Sequence, residues 1–120
     1  MDPIEHLLAE RACRRLLLDL IRRLDFQEPA SVAELFTEAD RLSRRLMSNV
    51  LVEVTSADTA SATSYFTTYR VDGYDGGTVP AGPPVRIGHY EDAFRRSAEG
   101  DWLLQARTVF LPCAGPTPRL

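Results

Sequence analysis

The sequence predicts an α+β domain in which an N-terminal helical hairpin packs on a curved antiparallel sheet. Three observations carry that expectation. Apolar residues recur at helical spacing only in the first third of the chain. From Met47 onward they alternate with polar ones, as in strands. The strand-like segments then follow one another through turns and loops, which pairs sequence neighbours antiparallel.

The first helix is expected from Pro3 to Leu24. Asp2 caps it and Pro3 occupies its first turn. Ile4, Leu8, Cys13, Leu16, Leu17, Leu20, Ile21 and Leu24 form its apolar stripe. Arg11, Arg15, Arg22 and Arg23 lie outside the stripe, interleaved with Glu5, Glu10, Asp19 and Asp25, which reads as a solvated face rather than a membrane-surface helix. Pro29 breaks the chain. Ser31 and Glu34 then have the spacing of a capping box for a second helix, Val32 to Thr37.

A first strand is expected from Met47, with Val50, Val52 and Val54 on one face. Ser56 to Asp58 is a turn. Thr59 to Val71, rich in Thr, Tyr and Phe, is the second strand. Asp72 to Pro84 concentrates Gly and Pro and reads as a surface loop. Val85 to Arg96 is the third strand, Ala98 to Asp101 a tight turn, and Trp102 to Leu111 the fourth strand. Residues 1–111 are thus expected to form one domain, and 112–120 a proline-rich tail.

Composition narrows the function. The chain has 120 residues, enough for one domain with a core. Its 14 basic residues against 17 acidic ones give a net charge of −3, which argues against nucleic-acid binding. Every basic residue is Arg. Without Lys there is no Schiff-base lysine and no P-loop lysine. Cys13 and Cys113 fit no zinc or CxxC spacing and read as free thiols in a reducing compartment. The N-terminus lacks a basic leader, and arginines interrupt the apolar stretch that follows. Neither a signal peptide nor a membrane span is expected, and the cytoplasm is the default location.

No GxGxxG, Walker A, HExxH or GxSxG motif is present. His89 and Glu91 share a strand face but read as a surface pair, so no metal is expected. Tyr90, Asp92 and Phe94 alternate with them. Asp92 between two aromatics would sit in an apolar setting that disfavours its ionised form, as suits a general acid or base. The alternative is a pair with an arginine such as Arg107 on the neighbouring strand. Tyr65, Thr67 and Tyr69 share a face of the second strand, where phenols either hold a ligand oxygen or form amphipathic core edges. Asn49 either donates to a ligand carbonyl or pairs with nearby backbone.

Several stretches together resemble the SnoaL-like group of the nuclear transport factor 2-like superfamily. They run from Ile4–Glu10 through Arg14–Leu17 to Leu24-Asp25, then Val32–Glu38, Arg45–Val50 with Val52–Val54, and Ala62–Phe66. Gly88–Phe94 follows, with Gly100-Asp101-Trp102 and Arg107. The resemblance implies a cone-like sheet around helices, whose interior takes small apolar or aromatic ligands. It also implies cofactor-free acid–base chemistry in enzymatic members, such as cyclases, dehydratases and isomerases on polyketide- or steroid-like rings. In that setting Asp92 is the expected acid or base. Asn49, Tyr65, Tyr69 and Tyr90 are the expected ligand contacts. Arg45 stands where many relatives carry a His; it stays protonated and is expected to hold an oxyanion. Wall elements that relatives carry are missing between Asp40 and Arg41, so the cone is expected to be shortened, with Glu38 or Asp40 near the position of a relative's acid. The rival expectation is a non-catalytic homodimeric structural or regulatory module, dimerisation covering the faces and edge that a shortened sheet exposes.

Overall fold

A computed structural model describes residues 1–26 and 42–114 of the chain. The described elements are one helix, α1 (Pro3–Phe26), and four strands, β1 (Leu42–Val54), β2 (Thr59–Val71), β3 (Arg86–Arg96) and β4 (Trp102–Ala114). The strands form one antiparallel sheet in the order β1-β2-β3-β4, a meander, curved and unclosed, with α1 on one face. The expected α+β class holds. The expected second helix, Val32 to Thr37, and the Asp40–Arg41 junction lie outside the described residues.

The N-terminus of α1 is built as its sequence suggests: Asp2 Oδ1 accepts the Glu5 amide at 2.8 Å. The helix buries a narrower stripe than its apolar residues suggest. Ala9, Cys13 and Leu17 recur every four residues against the sheet, whereas Ile4, Leu7 and Leu8 are exposed. Small side chains at positions 9 and 13 let the helix lie close to the strands. There it meets Val52, Ala60, Ala62, Phe94 and Trp102 to make the core. Burial pushes the Cys13 thiol up to about 11.

Two strands run longer than expected. β1 begins at Leu42, five residues before Met47, because Leu42 to Leu46 pair with the distal half of β2. Their inward side chains are polar, so the alternation of hydrophobicity is invisible there. The ladder shifts register between Ser48 and Leu51, where Asn49 has φ 53°. The bulge reverses parity. Met47 before it and Val50 and Val54 after it therefore all pack on the core. β4 continues through Pro112 to Ala114, past the expected end at Leu111, with Ile87 opposite Cys113 and Arg86 opposite Ala114. Pro112 is tolerated because β4 is an edge strand and the ladder shifts register between Ile87 and His89, so no donor is required of it.

Candidate functional site

The face of the sheet that carries α1, the inner face, is divided. The helix covers one end. Towards the other end the inward positions are Ser64, Phe66 and Thr68 on β2, and Gly88, Tyr90 and Asp92 on β3. Gly88 makes this region possible: a Cβ there would run into the Phe66 ring and the Phe110 carbonyl. With that space open, Phe66 stacks on Tyr90 at 4.3 Å between centroids and 17° between planes.

Arg107 on β4 lies opposite Asp92. Its Nε donates to Asp92 Oδ1 at 2.7 Å and its Nη2 to Oδ2 at 3.1 Å, a bidentate pair. The Asp92 side chain is 0% exposed and that of Arg107 15%. The same guanidinium lies 3.8 Å from the Tyr90 ring centroid. Asp92 is therefore a buried carboxylate, as expected, but the alternative of a pair with Arg107 is the arrangement present. Burial pushes the Tyr90 hydroxyl above its ordinary range, while the guanidiniums of Arg107, Arg45 and Arg86 pull against that shift.

A second ion pair joins helix to sheet. Arg45 Nη1 donates to Asp25 Oδ1 at 2.7 Å and to Ser43 Oγ at 3.2 Å, and the Arg45 amide donates to Asp25 Oδ2 at 2.8 Å. The side chains are 12% and 7% exposed, respectively, for Arg45 and Asp25. Arg44 closes the cluster from outside, donating to the Asp25 carbonyl at 3.3 Å with its guanidinium 4.9 Å from the Phe26 ring centroid. The expectation of a solvated Asp25 is thus corrected. Asp25 continues the four-residue series of Ala9, Cys13, Leu17 and Ile21, and that spacing is the signal that could have placed it facing the sheet. The charges of Arg107 and Arg45 both act on the Tyr90 phenol.

The other expected contacts fall elsewhere. Tyr65 and Tyr69 are exposed and occupy the outer face, opposite Tyr90 and Asp92. Period-two geometry forces this once Phe66 points inward. Asn49 is exposed at the bulge. His89 stacks on Phe110 at 4.5 Å and approaches Glu91 at 3.5 Å, also on the outer face. Glu38 and Asp40 lie outside the described residues. Among the described residues no three His, Cys, Asp or Glu side chains group as metal ligands, and no helix is long and apolar enough to cross a membrane. Sequence reasoning also missed Ser64, whose buried hydroxyl has no hydrogen-bond partner among the described residues.

A family model described as the SnoaL-like domain matches residues 38–108, more than half of the chain. The chain belongs to the SnoaL-like domain family. This SnoaL-like chain is also similar in fold to solved structures of low identity. A protein assigned as a scytalone dehydratase from Novosphingobium aromaticivorans is 18% identical with a TM-score of 0.68, the match covering 99% of each chain. LinA is 13% identical with a TM-score of 0.70, covering 100% of this chain and 97% of LinA. A protein from Catenulispora acidiphila is 17% identical with a TM-score of 0.59, covering 88% of this chain and 91% of the other. No curated protein matches the SnoaL-like chain. The identities are low enough that these likenesses concern the fold.

Proposed function

We propose that this SnoaL-like domain binds a small, ring-containing molecule on its inner face, against the stacked Phe66–Tyr90 pair. The observation that carries the reading is Tyr90 itself: a buried phenol on the inner face, its ring held between Phe66 and the Arg107 guanidinium, with the half-exposed Val109 beside it. Aromatic side chains beside a few polar groups are the usual make-up of a small-molecule site. Two of the solved structures of like fold are LinA and a protein assigned as a scytalone dehydratase, which is consistent with this reading. The test is a thermal-shift screen of neutral and acidic ring compounds against the wild type and Val109→Arg. Val109 pairs with Tyr90 and is half exposed, so a long side chain there blocks the approach to Tyr90 without disturbing the core. Stabilisation by a ring compound that Val109→Arg abolishes supports the site. An undiminished response refers the ligand to another surface.

A catalytic extension assigns cofactor-independent proton transfer, as in a cyclase, dehydratase or isomerase, with Asp92 as the acid or base. Full burial of its side chain on the inner face favours it. Asp92 must then exchange its bonds to Arg107 for the substrate. Asp92→Asn should abolish turnover with the fold retained, and unchanged turnover removes Asp92 from the chemistry. The homodimer reading is supported by the exposed Leu46, Tyr65, Ile87 and Phe110 of the outer face. Light scattering at micromolar concentration tests it, and a monomer excludes it.

A further inference from the structure

We infer that the outer face of the sheet packs on the same face of a second copy, about a two-fold axis that crosses the strands between the Tyr65–His89–Phe110 row and the Thr63–Glu91–Thr108 row. The inference rests on the homodimer reading above and names its face and its facing residues.

Strand register sorts the outer face into rows, each drawn from neighbouring strands. Tyr65, His89 and Phe110 form one row, and Leu46 and Ile87 belong to the next row towards the Asp72–Pro84 loop. These side chains are bulky and exposed, and the His89 ring lies flat on Phe110, 6° between planes. On the other side the rows are Thr63, Glu91 and Thr108, then Ser61, Ala93 and Ala106. Small side chains prevail there and leave a shallow open cavity of about 350 Å³ above them. The face is a ridge beside a trough. Its apolar ridge meets nothing among the described residues that would cover it.

A second copy fits both halves at once. A two-fold axis across the strands lays each strand antiparallel over its own counterpart, so each ridge enters the other trough. Tyr65 then faces the partner's Thr63, Phe110 the partner's Thr108, and Ile87 the partner's Ala93. Each is a large side chain over a small one, which is what close packing between sheets needs. His89 faces the partner's Glu91, and Glu91 the partner's His89. Within one chain these two groups approach only to 3.5 Å and remain 37% and 55% exposed, so each can take a partner across the axis. An axis along the strands sets ridge on ridge and leaves both troughs empty. Two strand residues span about 7 Å and neighbouring strands lie about 4.8 Å apart, so the rows beside the axis cover about 500 Å² on each copy. The total of about 1,000 Å² reaches the size of a specific interface at its lower limit, as in a reversible dimer.

The experiment is sedimentation velocity on the full chain at pH 7, from about 1 to about 200 µM, a range that brackets micromolar dissociation. The wild type should pass from monomer to dimer within it. His89→Glu places like charges opposite one another twice across the axis and should weaken the dimer about tenfold or more. Both positions are exposed, so the urea midpoint should stay near that of the wild type. The exchange His89→Glu/Glu91→His puts unlike groups back in both facing pairs and should restore the dissociation constant to within about threefold of the wild type. A dimer indifferent to His89→Glu, or an exchange as weak as the single variant, overturns the facing and leaves the homodimer reading standing. A wild-type monomer throughout overturns both.

Discussion

Replacing Arg107 by leucine should destabilise the domain far more than replacing Asp92 by leucine, although the two substitutions break the same pair. Arg107→Leu leaves a carboxylate with 0% side-chain exposure and no cation. Breaking a buried pair from one side typically costs about 3–5 kcal/mol. The lost contact with the Tyr90 ring adds about 0.5–2 kcal/mol. Against a total stability of about 5–15 kcal/mol, that lowers the melting temperature by roughly 15–30 °C. Asp92→Leu leaves Arg107, whose longer side chain is 15% exposed on an edge strand and can turn its charge to water. The expected cost is about 1.5–3 kcal/mol, that of hydrogen bonds to a charged group. The double variant Asp92→Leu/Arg107→Leu removes both charges. It should be more stable than Arg107→Leu alone, with a coupling energy of about 2 kcal/mol or more. Urea unfolding of the four proteins measures all three quantities. Additivity within about 0.5 kcal/mol, or a larger cost for Asp92→Leu than for Arg107→Leu, would refute the reasoning.

Three further outcomes are expected. Gly88→Ala should cost about 1–3 kcal/mol, read as a lowered denaturation midpoint, because the added methyl meets the Phe66 ring and a backbone carbonyl that cannot move without shifting β4. A melting point equal to the wild type would show that the strands yield easily. The exposed Cys113 should react with a thiol reagent at once and the buried Cys13 only after unfolding. The folded Cys13 thiol ionises near 11 rather than the ordinary 9.0, so the native state holds a proton that the unfolded state releases in between. Its contribution is complete below about pH 9 and is lost as pH rises towards 11. Unfolding midpoints should therefore fall across that window, and Cys13→Ala should show a shallower fall.

The parts of the fold that were legible in the sequence are those where burial and hydrophobicity coincide. The Asp2 cap, the Cys13–Leu17 stripe, the span of β2 and most of β3 follow from spacing alone. What escaped was polar burial. Ser43, Arg45 and Asp25 face inward because they satisfy one another, and no hydrophobic period can register that. Tyr65 and Tyr69 were placed with Tyr90 because both strands alternate. Which parity points inward depends on Phe66 stacking on Tyr90 over Gly88, a contact between strands. Pro112 read as a breaker because a single sequence does not show that its strand lies at an edge. At the site, Asp92 and Arg107 were recognisable as partners by position. Whether the carboxylate stood alone or paired depended on the cross-strand register.

The bond between Asp25 and the Arg45 amide joins residues 20 apart in sequence and pins the end of α1 to the start of the sheet. A clamp of this kind changes what the chain between its jaws costs. With both ends held, lengthening the chain between them costs an entropy that grows only with the logarithm of its length, about 0.6 kcal/mol for each doubling. Two charge-assisted bonds of about 1.5–3 kcal/mol each can absorb several such doublings. Chain inserted between Phe26 and Leu42 should thus leave the helix seated and the strands in register. The clamp makes that stretch a place where a relative, or a designer, can add residues without rebuilding the sheet.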